Sequence, residues 1–236
     1  MLSSVFIPNR YNSYAWFHII GLILLLYLGK IEPYTIVFGY FLETIIIGVF
    51  NMVKMMLTSK HDGSGKAIMF LVLFFMFHYG MFVAVQSVFA FLILDISGNS
   101  FINEPFHIIS NYATVLTFKG MEYMLPLLIG TQFLKLIFDF ILPKKQLRFT
   151  TMEIMFKPYV RIFIQQFTVI IAMFFIVFSS NGIIAAILLV FFRGVVDFLL
   201  VGIRDNTTLL DKLVNKLYDG KTSKEKLRKQ LLLFTE

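Results

Sequence analysis

An all-α, polytopic membrane bundle of about six transmembrane helices is the fold class this sequence predicts, and three observations predict it. Hydrophobic residues make up 58% of the 236-residue chain and charged residues only 15%, against roughly 45–50% and 25% in soluble domains. Apolar runs of about 20 residues, enough to cross a hydrocarbon core of about 30 Å, follow one another with little chain between them. The connecting segments alternate between basic and nearly uncharged, as membrane insertion imposes.

The runs lie at about Ser13 to Gly29, Tyr34 to Leu57, Ala67 to Leu94, Glu122 to Leu142, Pro158 to Phe178 and Ile183 to Ile203. None alternates polar and apolar residues as barrel strands do, and a helix satisfies every backbone N–H and C=O within itself. The first run reads as a retained span, because no charge precedes Arg10 and no small-residue cleavage pattern follows Leu28-Gly29-Lys30. Tyr11, Tyr14 and Trp16 at one end of it, and Tyr27 and Tyr34 near the other, stand where interfacial aromatics stand. Ser179-Ser180-Asn181-Gly182 makes a tight turn between the fifth and sixth runs. Residues 1–204 are thus expected to form the bundle and residues 205–236 a basic, amphipathic cytoplasmic tail.

Orientation follows from the loops. On one side fall Arg10, then Lys60 and Lys66, then Lys144, Lys145, Arg148 and Lys157, and finally the tail with its many lysines; on the other fall only Lys30 and Lys119. The basic side is cytoplasmic, which puts both termini inside and the protein in the cytoplasmic membrane. The net charge of +7 is then accounted for by topology, with the bilayer as partner and no nucleic acid.

Two segments lie outside the spans. Asn103-Glu104-Pro105 is a helix start, followed by Phe106, Ile109, Ala113 and Leu116 at helical spacing, so a short helix lying on the outer surface is expected. In the tail, Leu209, Leu210, Leu213, Val214 and Leu217 share one face up to Gly220. A second helix from about Lys224 sets Leu227, Leu231 and Phe234 against a basic face, and the tail is expected on the inner leaflet or on the cytoplasmic ends of the bundle.

Ionisable and amide residues inside the runs are the candidate functional residues, since each is costly in hydrocarbon and turns toward partners or water. They are Glu43, Asn51 and Lys54 in the second run; His78 and Gln86 in the third; Gln132, Lys135 and Asp139 in the fourth; Arg161, Gln165 and Gln166 in the fifth; and Arg193 and Asp197 in the sixth. With a rise of about 1.5 Å per residue, Glu43, His78, Gln132 and Arg193 fall near mid-membrane and most of the others in the cytoplasmic half. Glu43, Asn51 and Lys54 share a helical face. Lys135 with Asp139 and Arg193 with Asp197 are four residues apart and can pair along their helices, leaving Lys54 and Arg161 against Glu43 with cationic charge in excess. Such a stripe either holds helices in register or lines a cytoplasmic-side cavity for a small anionic or lipid-like ligand.

Catalytic chemistry finds little support. There is no cysteine, and Ser87 and Ser110 have no evident His and acid partners. Glu43 and His78 are only two good metal ligands, and Gln86, Gln132 and Gln166 are poor ones, so no metal or cofactor is expected. Asp62-Gly63-Ser64-Gly65-Lys66 lacks the preceding Gly and the following Ser or Thr of a phosphate loop. Six spans with Asn51 in the second invite comparison with rhomboid proteases. The fourth span, however, reads Ile129-Gly130-Thr131-Gln132 without Ser and the sixth has no His, so an inactive relative acting as a scaffold is the alternative to ligand binding.

The stretch from Phe41-Leu42-Glu43-Thr44 to Asn51-Met52-Val53-Lys54, with Phe77-His78-Tyr79-Gly80-Met81-Phe82 and Pro158-Tyr159-Val160-Arg161-Ile162, resembles an uncharacterised family of bacterial and archaeal polytopic integral membrane proteins, a domain of unknown function. The resemblance implies the polytopic topology and an inward placement of Glu43, Asn51, Lys54, His78 and Arg161. Members often carry His where this chain has Gln86, Gln132 and Gln166, so no metal role is carried over, and no activity comes with the family.

Overall fold

The protein is described by a computed structural model covering residues 7–8, 13–96, 101–102, 104–159, 162–163, 170, 182–205, 207–220 and 222–235. Among these residues the regular structure is helical: α1 (Ser13–Tyr27), α2 (Pro33–Ser59), α3 (Ile68–Ile96), α4 (Ile108–Val115), α5 (Met121–Leu134), α6 (residues 151–159), α7 (Gly182–Asp205), α8 (Thr207–Leu217) and α9 (Lys224–Thr235). Among the described residues three helices are long and apolar enough to cross a membrane: α2, Ile68–Leu92 of α3, and Met121–Ile141, which is α5 with its continuation. They coincide with the second, third and fourth expected runs. Among the described residues the first run forms the 15 residues of α1, about 22 Å of helix. Most of the fifth run lies outside the described residues, and the sixth coincides with α7.

The chain divides into two compact units, Leu25–Leu189 and Met1–Leu24 with Val190–Glu236. In the larger unit α2 is central: 61% of its apolar window is buried, against 22% for α3 and 28% for Met121–Ile141. It packs against both α3 and α5. Pro33 opens α2 without loss of a helical hydrogen bond, being in the first turn. The α2–α3 contact depends on Gly48, where a Cβ would lie 2.5 Å from Cε1 of Tyr79. With that space filled by the Tyr79 ring, its hydroxyl donates to the carbonyl of Thr44 at 2.8 Å.

One end of this unit is closed by α4 and aromatic rings. Phe38 stacks on Phe91 at 5.4 Å and meets Phe118 edge-on at 5.9 Å, while Phe91 meets Tyr112 at 5.5 Å. The helix α4 begins later than Asn103-Glu104-Pro105 suggests. Asn103 lies outside the described residues, and the loop is held by Asn111, whose buried amide donates to the carbonyl of Glu104 at 2.7 Å. Phe106 and Ile109 are 70% and 87% exposed, an apolar side that suits a surface helix. Gly120, at φ +92°, starts α5 with its backbone against Lys30 and Ile31, a left-handed conformation that a Cβ would strain.

At the opposite end α5 does not finish as an α-helix. Residues Lys135–Ile141 are π-helical, and the N–H of Leu142 donates five residues back to Ile137 at 2.9 Å. The chain then turns through Lys144 in the left-handed region (φ 56°) into a short 3-10 turn, Lys145–Leu147, that packs on α2. The α6 start is a capping box: Thr150 Oγ1 accepts from the N–H of Glu153 at 3.2 Å, and Glu153 Oε2 accepts from the N–H of Thr150 at 2.9 Å. Asp62 of the α2–α3 loop completes it. Its Oδ2 accepts from the N–H of Thr151 at 2.6 Å and its Oδ1 from the N–H of Ser64 at 3.0 Å. The Asp-Gly-Ser-Gly-Lys turn is therefore a strap between two helices.

In the smaller unit, Trp16 and Ile19 of α1 pack on Phe198 of α7, with the Trp16 and Phe198 rings 5.1 Å apart. The tail folds as the sequence suggests: α8 buries Leu210 and Val214, the chain reverses near Gly220 (φ 81°), and α9 packs back on α8. Arg228 pairs with Asp211, and Lys224 donates to Asn215 at 2.7 Å. These two pairs fix an antiparallel hairpin.

Candidate functional site: a polar ladder along α2

Each polar residue of the α2 stripe is turned to a different partner. Glu43, 3% exposed, accepts from Nε2 of Gln132 on α5 at 3.1 Å. Asn51, also buried, donates from Nδ2 to the carbonyl of Ile154 on α6 at 3.1 Å. Lys54 is half-buried and holds its Nζ 5.6 Å from the centroid of the Phe140 ring in the π-helical segment. Eight residues and then three separate these contacts, about 12 Å and 4.5 Å of rise. The stripe is a ladder rather than one cluster, and Glu43 and Lys54, about 16 Å apart along one helix, are too distant for a direct ion pair.

The cationic end lies at the π-helix, where the N–H of Leu142 donates five residues back to Ile137. In this segment Lys135 is half-buried, Leu136 and Phe140 are buried, and Asp139 is exposed. Phe140, the ring under Lys54, thus belongs to the same irregular segment as Lys135.

His78 stands elsewhere on α3. Its Nδ1 is 2.8 Å from the hydroxyl of Tyr159, and its ring stacks on Phe74 at 5.3 Å and meets Phe82 at 5.2 Å. Tyr159 was legible only as part of the Pro158-Tyr159 stretch. Gln86, buried, donates to the carbonyl of Ile162 at 3.4 Å. Among the described residues no group of three His, Asp or Glu could hold a metal ion. Arg161, Gln165 and Gln166 lie outside the described residues, as do the side chains of Arg193 and Asp197 on α7.

Ser87 is engaged structurally. Its Oγ donates to the carbonyl of Val83 at 2.7 Å and lies 2.7 Å from the hydroxyl of Tyr112, tying α4 to α3. Burial pushes the Tyr112 phenol up to about 12, against the opposing effect of its bond to Ser87. Asp62 responds in the other direction. Burial raises its carboxyl, but the N–H groups of Thr151 and Ser64 outweigh that and hold it below the usual 3.8.

The arrangement thus offers a buried acid bridged to an amide and, separately, a lysine over an aromatic ring in a π-helical segment that begins at Lys135. No curated protein and no solved structure matches the chain. A family model matches over residues 1–225, and the chain belongs to that family of unknown function (DUF6498).

Proposed function

We propose that the protein is an integral membrane protein of six helical spans with cytoplasmic termini, and that it binds a small anionic or lipid-like ligand at the cytoplasmic end of the α2 ladder. The observation that carries the proposal is the half-buried Lys54 held over Phe140, in a π-helical segment that opens with Lys135. Such helix irregularities recur at functional sites, and cations in a membrane-spanning segment are retained where they meet anions or headgroups. Lys145 at the adjoining turn adds a third cation to this end. Arg161 is the further electrostatic partner in this reading, and no residue is given a catalytic role.

Native mass spectrometry of the protein released from mild detergent tests it. A phospholipid or small anion should remain bound, and its occupancy should fall several-fold in Lys54→Gln and Lys135→Gln. Wild-type protein that carries none, or variants that retain it fully, would overturn the reading. The bonds from Gln132 to Glu43 and from Asn51 to Ile154 favour a second reading, a membrane scaffold or rhomboid-like pseudoenzyme whose polar groups serve helix packing. In that case Glu43→Gln and Asn51→Leu change stability and leave bound species untouched.

A further inference from the structure

We infer that the α8–α9 hairpin is a membrane-surface clamp, docking on an anionic leaflet through its tip and its basic outer sides. The hairpin begins two residues after α7 ends, at Thr207 after Asp205, so a membrane-crossing α7 holds it within a Debye length of the headgroups. The inference rests in this respect on the proposed topology.

Three features of the hairpin select a lipid surface as its occupant. First, its apolar residues are not all used internally: Leu210 and Val214 are buried, but Leu217 and Tyr218 at the tip are 53% and 43% exposed. Second, charge surrounds that tip. Lys216 stands in the last turn of α8, and Lys224 lies 5.2 Å over the Tyr218 ring. Third, Lys212 and Lys216 project from the side of α8 opposite Leu210 and Val214, and Lys226 and Lys229 are exposed on α9. The acidic Asp211 on this surface is paired with Arg228. An exposed Leu-Tyr pair flanked by Lys216 and Lys224, which outweigh the single neighbouring Asp219, is the composition of an interfacial anchor, the aromatic seated at headgroup depth and the lysines among the phosphates. A nucleic acid would meet the lysines but leave Leu217 without a partner.

The sequence contains no cysteine, so a single reporter can be placed at the tip without background. The full chain carrying Thr222→Cys, labelled with an environment-sensitive fluorophore, is placed in nanodiscs of phosphatidylcholine alone or mixed in equal parts with phosphatidylglycerol. Docking is read as quenching by shallow spin-labelled lipid. Quenching should be several-fold stronger in the anionic discs, fall at high salt, and be lost in Lys216→Glu with Lys226→Glu. Leu217→Ala with Tyr218→Ala should abolish the shallow quenching while amide protection of α8 and α9 persists, which separates loss of anchoring from loss of folding.

Equal quenching in both discs, no quenching in either, or insensitivity to charge reversal would overturn the inference. Reaction of the same cysteine with an impermeant maleimide, in sealed vesicles of known orientation, reports the side of the hairpin independently. A non-cytoplasmic cysteine with intact anionic-lipid docking would refute the topology and leave the clamp standing.

Discussion

Gly48→Ala tests the packing on which the α2 ladder depends. The added Cβ would sit 2.5 Å from Cε1 and 3.0 Å from Cδ1 of Tyr79, about 1 Å short of ordinary carbon–carbon contact. Tyr79 cannot yield easily. It is 4% exposed, its ring stacks on Phe75 at 4.8 Å and meets Tyr159 at 5.8 Å, and its hydroxyl is bonded to Thr44. Overpacking of this kind costs about 1–3 kcal/mol, and a displaced hydroxyl adds about 1 kcal/mol. The expected loss is therefore about 2–4 kcal/mol, offset by the gain of about 0.5–1 kcal/mol that Ala brings over Gly within a helix. Reversible unfolding in mixed detergent measures it. Gly80→Ala and Gly130→Ala, where a Cβ meets nothing within 4 Å, serve as controls and should be neutral or stabilising. In a Tyr79→Leu background the penalty at Gly48 should shrink by most of its value. An equal penalty in both backgrounds, or none in wild type, would refute the reasoning.

Asp62→Ala should destabilise the protein by about 1 kcal/mol at neutral pH, as loss of a helix cap does. Because the folded carboxyl lies below its unfolded value of 3.8, its contribution is complete above that pH and disappears as pH falls through the folded value. Melting curves of wild type and variant should converge in that acid range. Thr150→Ala and Glu153→Ala should each cost about 1 kcal/mol, and less than additively together, since each bond of the capping box supports the other. On the proposed membrane placement, Asn51→Leu should cost only about 0.6 kcal/mol by unfolding in detergent, the usual size of a side-chain hydrogen bond between membrane helices. A loss several times larger would mean that Asn51 holds more than the Ile154 carbonyl.

The long apolar runs that became α2, α3 and α5 were legible because the length of an apolar helix is written in consecutive residues. The inward turn of Glu43 and Asn51 followed from helical period, and the tail hairpin from its leucine spacing and Gly220. What spacing could not supply was the partner of each polar group. Asn51 is satisfied by a backbone carbonyl, which has no sequence signature, and His78 by Tyr159, one of 10 tyrosines. The start of α6 had a readable signal in Thr150-Thr151-Met152-Glu153, but hydropathy alone sets the run at Pro158 because the capping turn is polar. Asp62 reads in sequence only as part of a turn that lacks the marks of a phosphate loop, whereas its partner, Thr151, is 89 residues away. The π-helix at Lys135–Ile141 left no trace in composition.

That segment also acts as a phase step in the chain. A π-turn is an α-helix carrying one extra residue, so the residues before Lys135 and those after Ile141 are read with rulers offset by about 100°. Deleting a single residue from this segment would restore one ruler. It would also rotate the Pro143–Lys144 turn, and the strap to Asp62 beyond it, relative to Gln132 and Glu43. A change of one residue at the end of α5 would thus be felt at both ends of the polar ladder.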